Sequence, residues 1–418
     1  MNTTILDAAV SFIDQPLLTP LTISSGSITE LSEAVAEVTV RVDGREATGK
    51  GAIYLSDMWA WPGSTLGHAR CDAELRALCE TIAANLPELC GGEPAHPVEL
   101  GLRLHESICG TKDDPPVLAR AMCTSPFDAA IHDAVGNALE CSAFDLYTRP
   151  APIPSADPFL NGHASDAIRN TLEWRHKELN AWYLVTKGDT AEDLDPWVRK
   201  RGYRCFKLKL FGKDNAYDVE RTVEVYRILR ELGAENILLS IDTNEANPDA
   251  ASVVDYLERL NATNSDAYNA LLYLEQPTAR DIIEHPFDWR EAAALKPVML
   301  DEGLTSLEGM RTALDQGWSG FALKTCKGHS FTLVAAAWAI QHGLLLSVQD
   351  LTNPGIAMIH AALLAAHLPT LNGVELNSPQ FTPAANEEWL PRLPGLFDVH
   401  DGVHKLPEVM PKGLGSET

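Results

Sequence analysis

The sequence predicts an α/β protein in which a (β/α) barrel follows an α+β segment, and three observations carry that reading. Between residues 203 and 350 six short apolar runs each end in Lys, Asp or Glu: Tyr203-Arg-Cys-Phe-Lys207-Leu-Lys209, Ile237-Leu-Leu-Ser-Ile-Asp242, Leu271-Leu-Tyr-Leu-Glu275, Pro297-Val-Met-Leu-Asp301-Glu302, Gly320-Phe-Ala-Leu-Lys324 and Leu344-Leu-Leu-Ser-Val-Gln349-Asp350. From Lys209 onward the spacings are 33, 33, 26, 23 and 26 residues, the length of one strand, one helix and two loops. The segments between have helical spacing, with Val225, Leu229 and Leu232, then Val253, Leu257 and Leu260, recurring at i, i+4 and i+7.

Continuous apolar strands alternating with amphipathic helices imply a parallel sheet covered by helices, and eight such units close into a barrel. In a barrel the C-terminal strand ends share one mouth, so these carboxylates and lysines would converge on one cavity. A single carboxylate after an apolar run is ordinarily a helix N-cap or a solvated loop residue. Six charged residues at the same structural position are poorly explained by capping, and lysine does not cap a helix N-terminus.

At these residues the chain resembles the enolase superfamily, in its muconate-lactonizing and mandelate-racemase-like branch. The matching motifs are Lys207-Leu-Lys209 after the second barrel strand, Asp242-Thr-Asn244 after the third, Leu-Glu275-Gln-Pro after the fourth, Asp301-Glu302 after the fifth and Lys324-Thr-Cys-Lys327 after the sixth. The resemblance covers essentially the whole chain. It implies a modified TIM barrel at 151–380, an N-terminal α+β capping domain at 1–150, and a C-terminal tail, 381–418, that returns to the capping domain.

Taken in order, Ile5–Phe12, Ala34–Val42 and Ala47–Tyr54 alternate like antiparallel strands, with a turn at Asp43-Gly44. Between the first two lies a polar, small-residue loop through Ser25 and Gly26, which in the family closes over the active site and reads the far end of the substrate. Asp57-Met-Trp59-Ala-Trp61-Pro-Gly63 puts two indoles in a loop, either a satellite core or a binding wall; the family's second capping loop lies here, so Trp59 and Trp61 are candidate substrate contacts. Helices are expected at Ala73–Leu89, Pro97–Glu106 and Pro116–Leu139. The last includes Ser125-Pro-Phe-Asp128-Ala-Ala-Ile-His132-Asp133, which resembles the family's small-residue helix against the barrel, with His132 and Asp133 read as structural. The Pro-rich run at 150–158 is a stiff linker and a domain boundary. Trp182–Thr186 is the expected first barrel strand and Gly373–Leu376 the last.

Composition limits the alternatives. The 418 residues suffice for a barrel and a second domain. A net charge of −25 with no Lys/Arg-rich run argues against a nucleic-acid partner. No uncharged apolar run approaches the roughly 20 residues that span a bilayer, and the N-terminus shows no basic, then apolar, secretory pattern. The eight cysteines form no C-x-x-C pair and no zinc-spaced Cys/His cluster. A reduced, cytoplasmic protein is expected.

Asp242, Glu275 and Asp301 are oxygen donors on three successive strands, suited to a hard octahedral cation that keeps open positions; magnesium is the expected ion. A carboxylate substrate on that ion would have its α-proton acidified. Enolase-superfamily sites pair such a metal with a Lys or His base. By resemblance Lys209 is the base on one face and Lys324 the base on the other. Lys207 points the same way as Lys209 by strand alternation and is its electrostatic helper. Asn244, Glu302, Asp350, Asn353, Glu375, Trp59, Trp61 and Ser25 are the expected substrate contacts or supporting groups.

Lysines on both faces resemble the muconate cycloisomerase and dipeptide epimerase group, whereas the mandelate-racemase pattern uses a His-Asp pair after strands seven and six. Two departures from the group stand out: Gly328 is followed by His329 where Gly-Gly is usual, and strand seven ends in Gln349-Asp350. The expected activity is magnesium-dependent α-proton abstraction from a small carboxylate by a racemase, epimerase or cycloisomerase. A sugar-acid dehydratase is the alternative within enzymes, and a non-catalytic barrel binding protein the alternative outside them. A homo-oligomer is expected from the family's habit.

Overall fold

The computed structural model describes residues 2–23, 26–111, 114–173 and 176–417. An antiparallel meander opens the chain, with β1 at Thr3–Ile23, β2 at Gly26–Val42 and β3 at Arg45–Leu55. The alternation in Ala34–Val42 buries Ala34, Ala36, Val38, Val40 and Val42 on one face. The expected loop between the first two strands is instead a continuation of their pairing: Leu21 opposes Ile28 and Ile23 opposes Gly26. The register slips between Pro16 and Leu21, and the strands resume beyond it. Ser25 lies outside the described residues.

Four helices follow: α1 at Asp57–Ala60, α2 at His68–Leu89, α3 at Pro97–Cys109 and α4 at Val117–Leu139. α4 is almost wholly buried because it lies directly on the backbone of β3. Gly49 and Gly51 make this possible, since a Cβ at either would collide with the backbone of Ala134 or Pro126. Gly101 on α3 admits the Asp128 carboxylate and the Ser330 hydroxyl in the same way.

The second half is a seven-stranded parallel sheet. After a short β4 at Glu178–Asn180, its strands are β5 (Trp182–Val185), β6 (Cys205–Lys209), β7 (Leu238–Asp242), β8 (Leu271–Glu275), β9 (Val298–Leu300), β10 (Gly320–Lys324) and β11 (Leu345–Gln349), in sequential order. The ring closes through residues 374 and 375, which bridge in parallel to Ala181 and to Gln349. Helices alternate with the strands, among them α5 (Asn215–Glu231), α6 (Ala250–Thr263), α7 (Leu307–Gln316), α8 (His329–Gln341) and α9 (Gly355–Ala366). The starts of α5, α6 and α7 are fixed by side-chain caps: Asp214 accepts from the amides of Ala216 and Tyr217, Asp249 from Ser252, and Ser306 from Gly309. Beyond the barrel, β12 (Val403–Lys405) pairs with β4, and the Gly413 backbone bonds to Cys141 and Ala143, just past α4. Asp133 accepts from the amide of Lys50 at 2.9 Å and from that of Leu414 at 2.7 Å, so it ties the tail to the first sheet.

A buried polar chain crosses the seam between α4 and the barrel helices. Tyr147 Oη lies 2.7 Å from both His132 Nδ1 and His329 Nε2, and His329 Nδ1 lies 2.7 Å from His360 Nε2. At the other end His132 Nε2 meets Ser330 Oγ at 2.8 Å, and that hydroxyl donates to Asp128 at 2.7 Å. His329, a departure from the family's sequence, is thus a packing residue. All eight cysteines are unpaired. Among the described residues no helix is long and apolar enough to cross a membrane.

Candidate active site

Parallel register brings the strand-end residues to one level. Lys209 is the Cα partner of Asp242, Asp242 of Glu275, and Lys324 of Gln349. Asp301 follows the last residue of β9. The amides of Asp301 and Gly303 both donate to Gln276 Oε1 at 3.0 Å, which fixes the end of that strand. Lys207, Lys209 and Lys324 line one cavity at the barrel mouth, with β6 and β10 on opposite sides of the ring.

Each expected metal ligand carries a lysine ammonium. Lys207 Nζ donates to both Glu275 oxygens at 2.8 and 2.9 Å and lies 3.2 Å from Asp242 and 3.1 Å from Glu375. Lys209 Nζ lies 2.5 Å from Asp242 Oδ2 and donates to Asn244 Oδ1 at 3.1 Å. Lys324 Nζ lies 2.5 Å from Asp301 Oδ2, and Lys327 Nζ 2.8 Å from Asp301 Oδ1. Burial opposes the charge on Lys207 and Lys324, but the carboxylates outweigh it: Glu275 and Glu375 raise Lys207 well above the usual lysine range, and Asp301 and Glu275 raise Lys324. Lys209 and Lys207 likewise overcome the burial of Asp242 and hold its carboxyl down at about 2.

Two carboxylates remain without a lysine. Glu302 accepts from Trp59 Nε1 at 2.9 Å and leaves its other oxygen buried and unpartnered. Asp350 accepts from the Thr352 amide at 2.8 Å, and its Oδ2 is likewise unpartnered. Burial pushes both up to about 8. Six buried carboxyl groups (Asp242, Glu275, Asp301, Glu302, Asp350, Glu375) thus share the barrel mouth with four buried lysines (Lys207, Lys209, Lys324, Lys327). Among the described residues no three His, Cys, Asp or Glu side chains are gathered as a ready metal cluster. The all-oxygen donors nevertheless fit a hard dication, which would compete with the lysines for Asp242, Glu275 and Asp301.

The remaining expected contacts divide. Trp59 is buried, lines the cavity, and places its ring 5.0 Å from Lys324 Nζ. Glu375 and Asp350 line it too. Trp61 packs half-buried against the main core and is not part of the lining. Asn353 is fully buried away from the cavity, its Oδ1 accepting from the Tyr54 amide at 2.8 Å, so it latches β3 to the loop after β11. Sequence reasoning gave no role to Gln349, which accepts from Lys207 at 3.2 Å and donates to Glu275. It also gave none to Leu21, Ile28, Leu31, Leu184 and Leu351, which form the apolar part of the lining. Their signal was present in the apolar residues scattered through the supposed loop and at the end of β5.

Comparison with known proteins places this geometry. A mandelate-bound, magnesium-bound enolase from Bradyrhizobium superposes with a TM-score of 0.67 at 18% identity, over 99% of this chain and 96% of that one. A muconate lactonizing enzyme from Pseudomonas fluorescens, complexed with muconolactone, gives 0.67 at 20%, over 99% and 96%. A dipeptide epimerase from Enterococcus faecalis, complexed with Mg and L-Leu-L-Tyr, gives 0.66 at 17%, over 99% of both chains. At these identities the likeness shows the fold. No curated protein sequence matches the chain at a comparable level. A family model described as enolase C-terminal domain-like matches residues 189–418, more than half of the chain, and the protein belongs to that family within the enolase superfamily.

Proposed function

We propose that this protein is a magnesium-dependent enzyme that abstracts the α-proton of a small carboxylate, acting as a racemase, epimerase or cycloisomerase. The observation that carries the reading is the cavity where Lys207 and Lys209 on β6 face Lys324 on β10 across the Asp242, Glu275 and Asp301 carboxylates. Magnesium held by those three carboxylates would supply positive charge where the substrate carboxylate gains negative charge. In its neutral amine form Lys209, the less enclosed lysine of β6, takes the α-proton on one side. Lys324, held as an ammonium by Asp301, returns a proton on the other. Transfer from one face to the other inverts the α-carbon. Lys207 stays charged among Glu275, Asp242 and Glu375 and fixes their orientation. The structural neighbours named above include a cycloisomerising enzyme and an epimerase, in line with this class.

The same reading treats 1–150 as a capping domain, 151–380 as the catalytic barrel and 381–418 as a tail bound back on the cap, supported by the bonds of Gly413 and Leu414 near α4. It also includes a cytoplasmic homo-oligomer, to be checked by light scattering on the eluting protein.

The test is proton NMR of the protein with magnesium in deuterium oxide, over pools of N-acyl amino acids, dipeptides and other 2-substituted acids. Loss of an α-proton signal without loss of substrate is the expected result for a racemase or epimerase, and new product signals mark cycloisomerisation. A Lys324→Ala protein as active as wild type would refute the two-lysine mechanism.

A further inference from the structure

We infer that the substrate is a carboxylate whose remaining skeleton is compact and apolar, seated against Leu21, Ile28, Leu31, Leu184, Leu351 and Trp59, and that polyhydroxylated acids are excluded. This names the substrate class of the lysine site and rests on the reading just given.

The cavity is small, about 50 Å³, and its chemistry is divided. The lysines and Glu375 come from the strand ends, while among the described residues the β1–β2 hairpin contributes Leu21, Ile28 and Leu31. Those three pack with Tyr54, Leu184 and Phe381 in a hydrophobic cluster of their own, so the hairpin is held over the mouth by apolar contact. Its backbone at Leu21 and Ile28 is engaged in strand pairing and does not serve a ligand. The polar lining gathers around Asp350: the amides of Thr352 and Asn377 both point at its Oδ1, and its buried Oδ2 is unpartnered. Ser56 adds one hydroxyl from the capping segment.

A substrate placed with its carboxylate toward the lysines meets the unpartnered oxygens of Asp350 and Asn377 at the side and, among the described residues, methyl groups above. N–H or O–H groups beside the α-carbon find these two acceptors. Further hydroxyls lie against Leu and Ile side chains and lose water without gaining a partner, and even one such group in an apolar pocket costs about 100-fold in discrimination. This wall favours an isomerase of an apolar acid over a sugar-acid dehydratase.

The test titrates the full-length, magnesium-loaded protein by calorimetry with 2-hydroxy-4-methylpentanoate and with gluconate, two six-carbon 2-hydroxycarboxylates that differ in methyl against hydroxyl decoration. The methyl-bearing acid is expected to bind about 100-fold or more tightly than gluconate. Ile28→Asn and, separately, Leu31→Asn are expected to narrow that ratio to roughly tenfold or less, because each gives the wall a hydrogen-bonding group. Gluconate binding as tightly or better, a ratio unchanged in both variants, or no binding of either acid would overturn the inference. α-Deuterium exchange in the same samples separates it from its parent. Exchange of gluconate alone sinks the apolar wall and keeps the lysine pair, whereas tight binding of the methyl-bearing acid without exchange keeps the wall and counts against the lysine pair.

Discussion

Asp301→Asn removes the charge that holds two buried ammoniums. Asp301 is fully buried, with Lys324 Nζ at 2.5 Å and Lys327 Nζ at 2.8 Å. At an effective dielectric constant of about 20, each contact is worth roughly 6 kcal/mol of Coulomb attraction, most of it offset by the cost of desolvating the ions. Breaking such a buried pair typically costs about 3–5 kcal/mol. Urea unfolding at neutral pH with a chelator present should therefore show a loss of that size. The double variant Asp301→Asn/Lys324→Met should lose less than Asp301→Asn alone, because one stranded ammonium has been removed as well. The pH dependence has a definite sign. Lys324 and Lys327 hold the Asp301 carboxyl well below its usual range, against the effect of burial. Its stabilising contribution is therefore complete above the unfolded value of about 4 and is lost as pH falls below it. The gap between wild type and Asp301→Asn should close on acidification. A loss under about 1 kcal/mol at neutral pH, or a double variant worse than the single, would refute the charge-pairing argument.

Asp350→Asn should behave oppositely. Burial raises this carboxyl to about 8, so the wild type loses stability relative to the variant as pH rises from about 4 to 8, by about 1.4 kcal/mol per unit; parallel pH profiles in unfolding would contradict this. Trp59→Phe deletes the donor to Glu302, whose other oxygen is already unpartnered, and should cost about 1–3 kcal/mol in the same assay. Gly51→Ala would drive a methyl into the backbone of Pro126 and should lower the melting temperature sharply or abolish soluble expression, whereas Gly44→Ala, which meets open space at φ +78°, should cost only about 1 kcal/mol. Equal effects at the two glycines would show that α4 does not depend on close approach to β3. Lys209→Ala and Lys324→Ala should each abolish interconversion of enantiomers, since each face needs its own lysine; full inversion in either variant speaks against the assignment.

The barrel was legible because its evidence repeats. Six of the strands are apolar runs ending in a charged residue, and the helices between have clear periodicity. The mouth residues followed from topology alone, since parallel strands put Lys209, Asp242 and Glu275 in register. The hairpin over the mouth reads in sequence as a loop because the polar, small residues through Ser25 and Gly26 carry turn chemistry, yet backbone pairing resumes at Leu21 irrespective of side-chain type. Asn353 and Trp61 were assigned to the cavity by position in a motif, while their surroundings, the Tyr54 amide and the main core, come from segments remote in sequence. Gln349 stood out only as a departure. That it bridges Lys207 and Glu275 depends on side-chain distances across the barrel, which no local pattern encodes.

Burial holds His329 and His360 neutral, and with both neutral the chain of rings from Asp128 to His360 admits two proton orders. Ser330 donates to Asp128, so His132 Nε2 must donate to Ser330. If His132 is neutral, its Nδ1 accepts from the Tyr147 hydroxyl, which then accepts from His329 Nε2, and His329 Nδ1 accepts from His360 Nε2. If His132 is cationic, every bond beyond it reverses and the rings of His329 and His360 exchange tautomers together. Because these residues sit on both sides of the seam, one proton at the cap rewrites the donor and acceptor labels of two barrel helices without displacing a heavy atom. The ring-nitrogen resonances of His329 and His360 would therefore switch in concert.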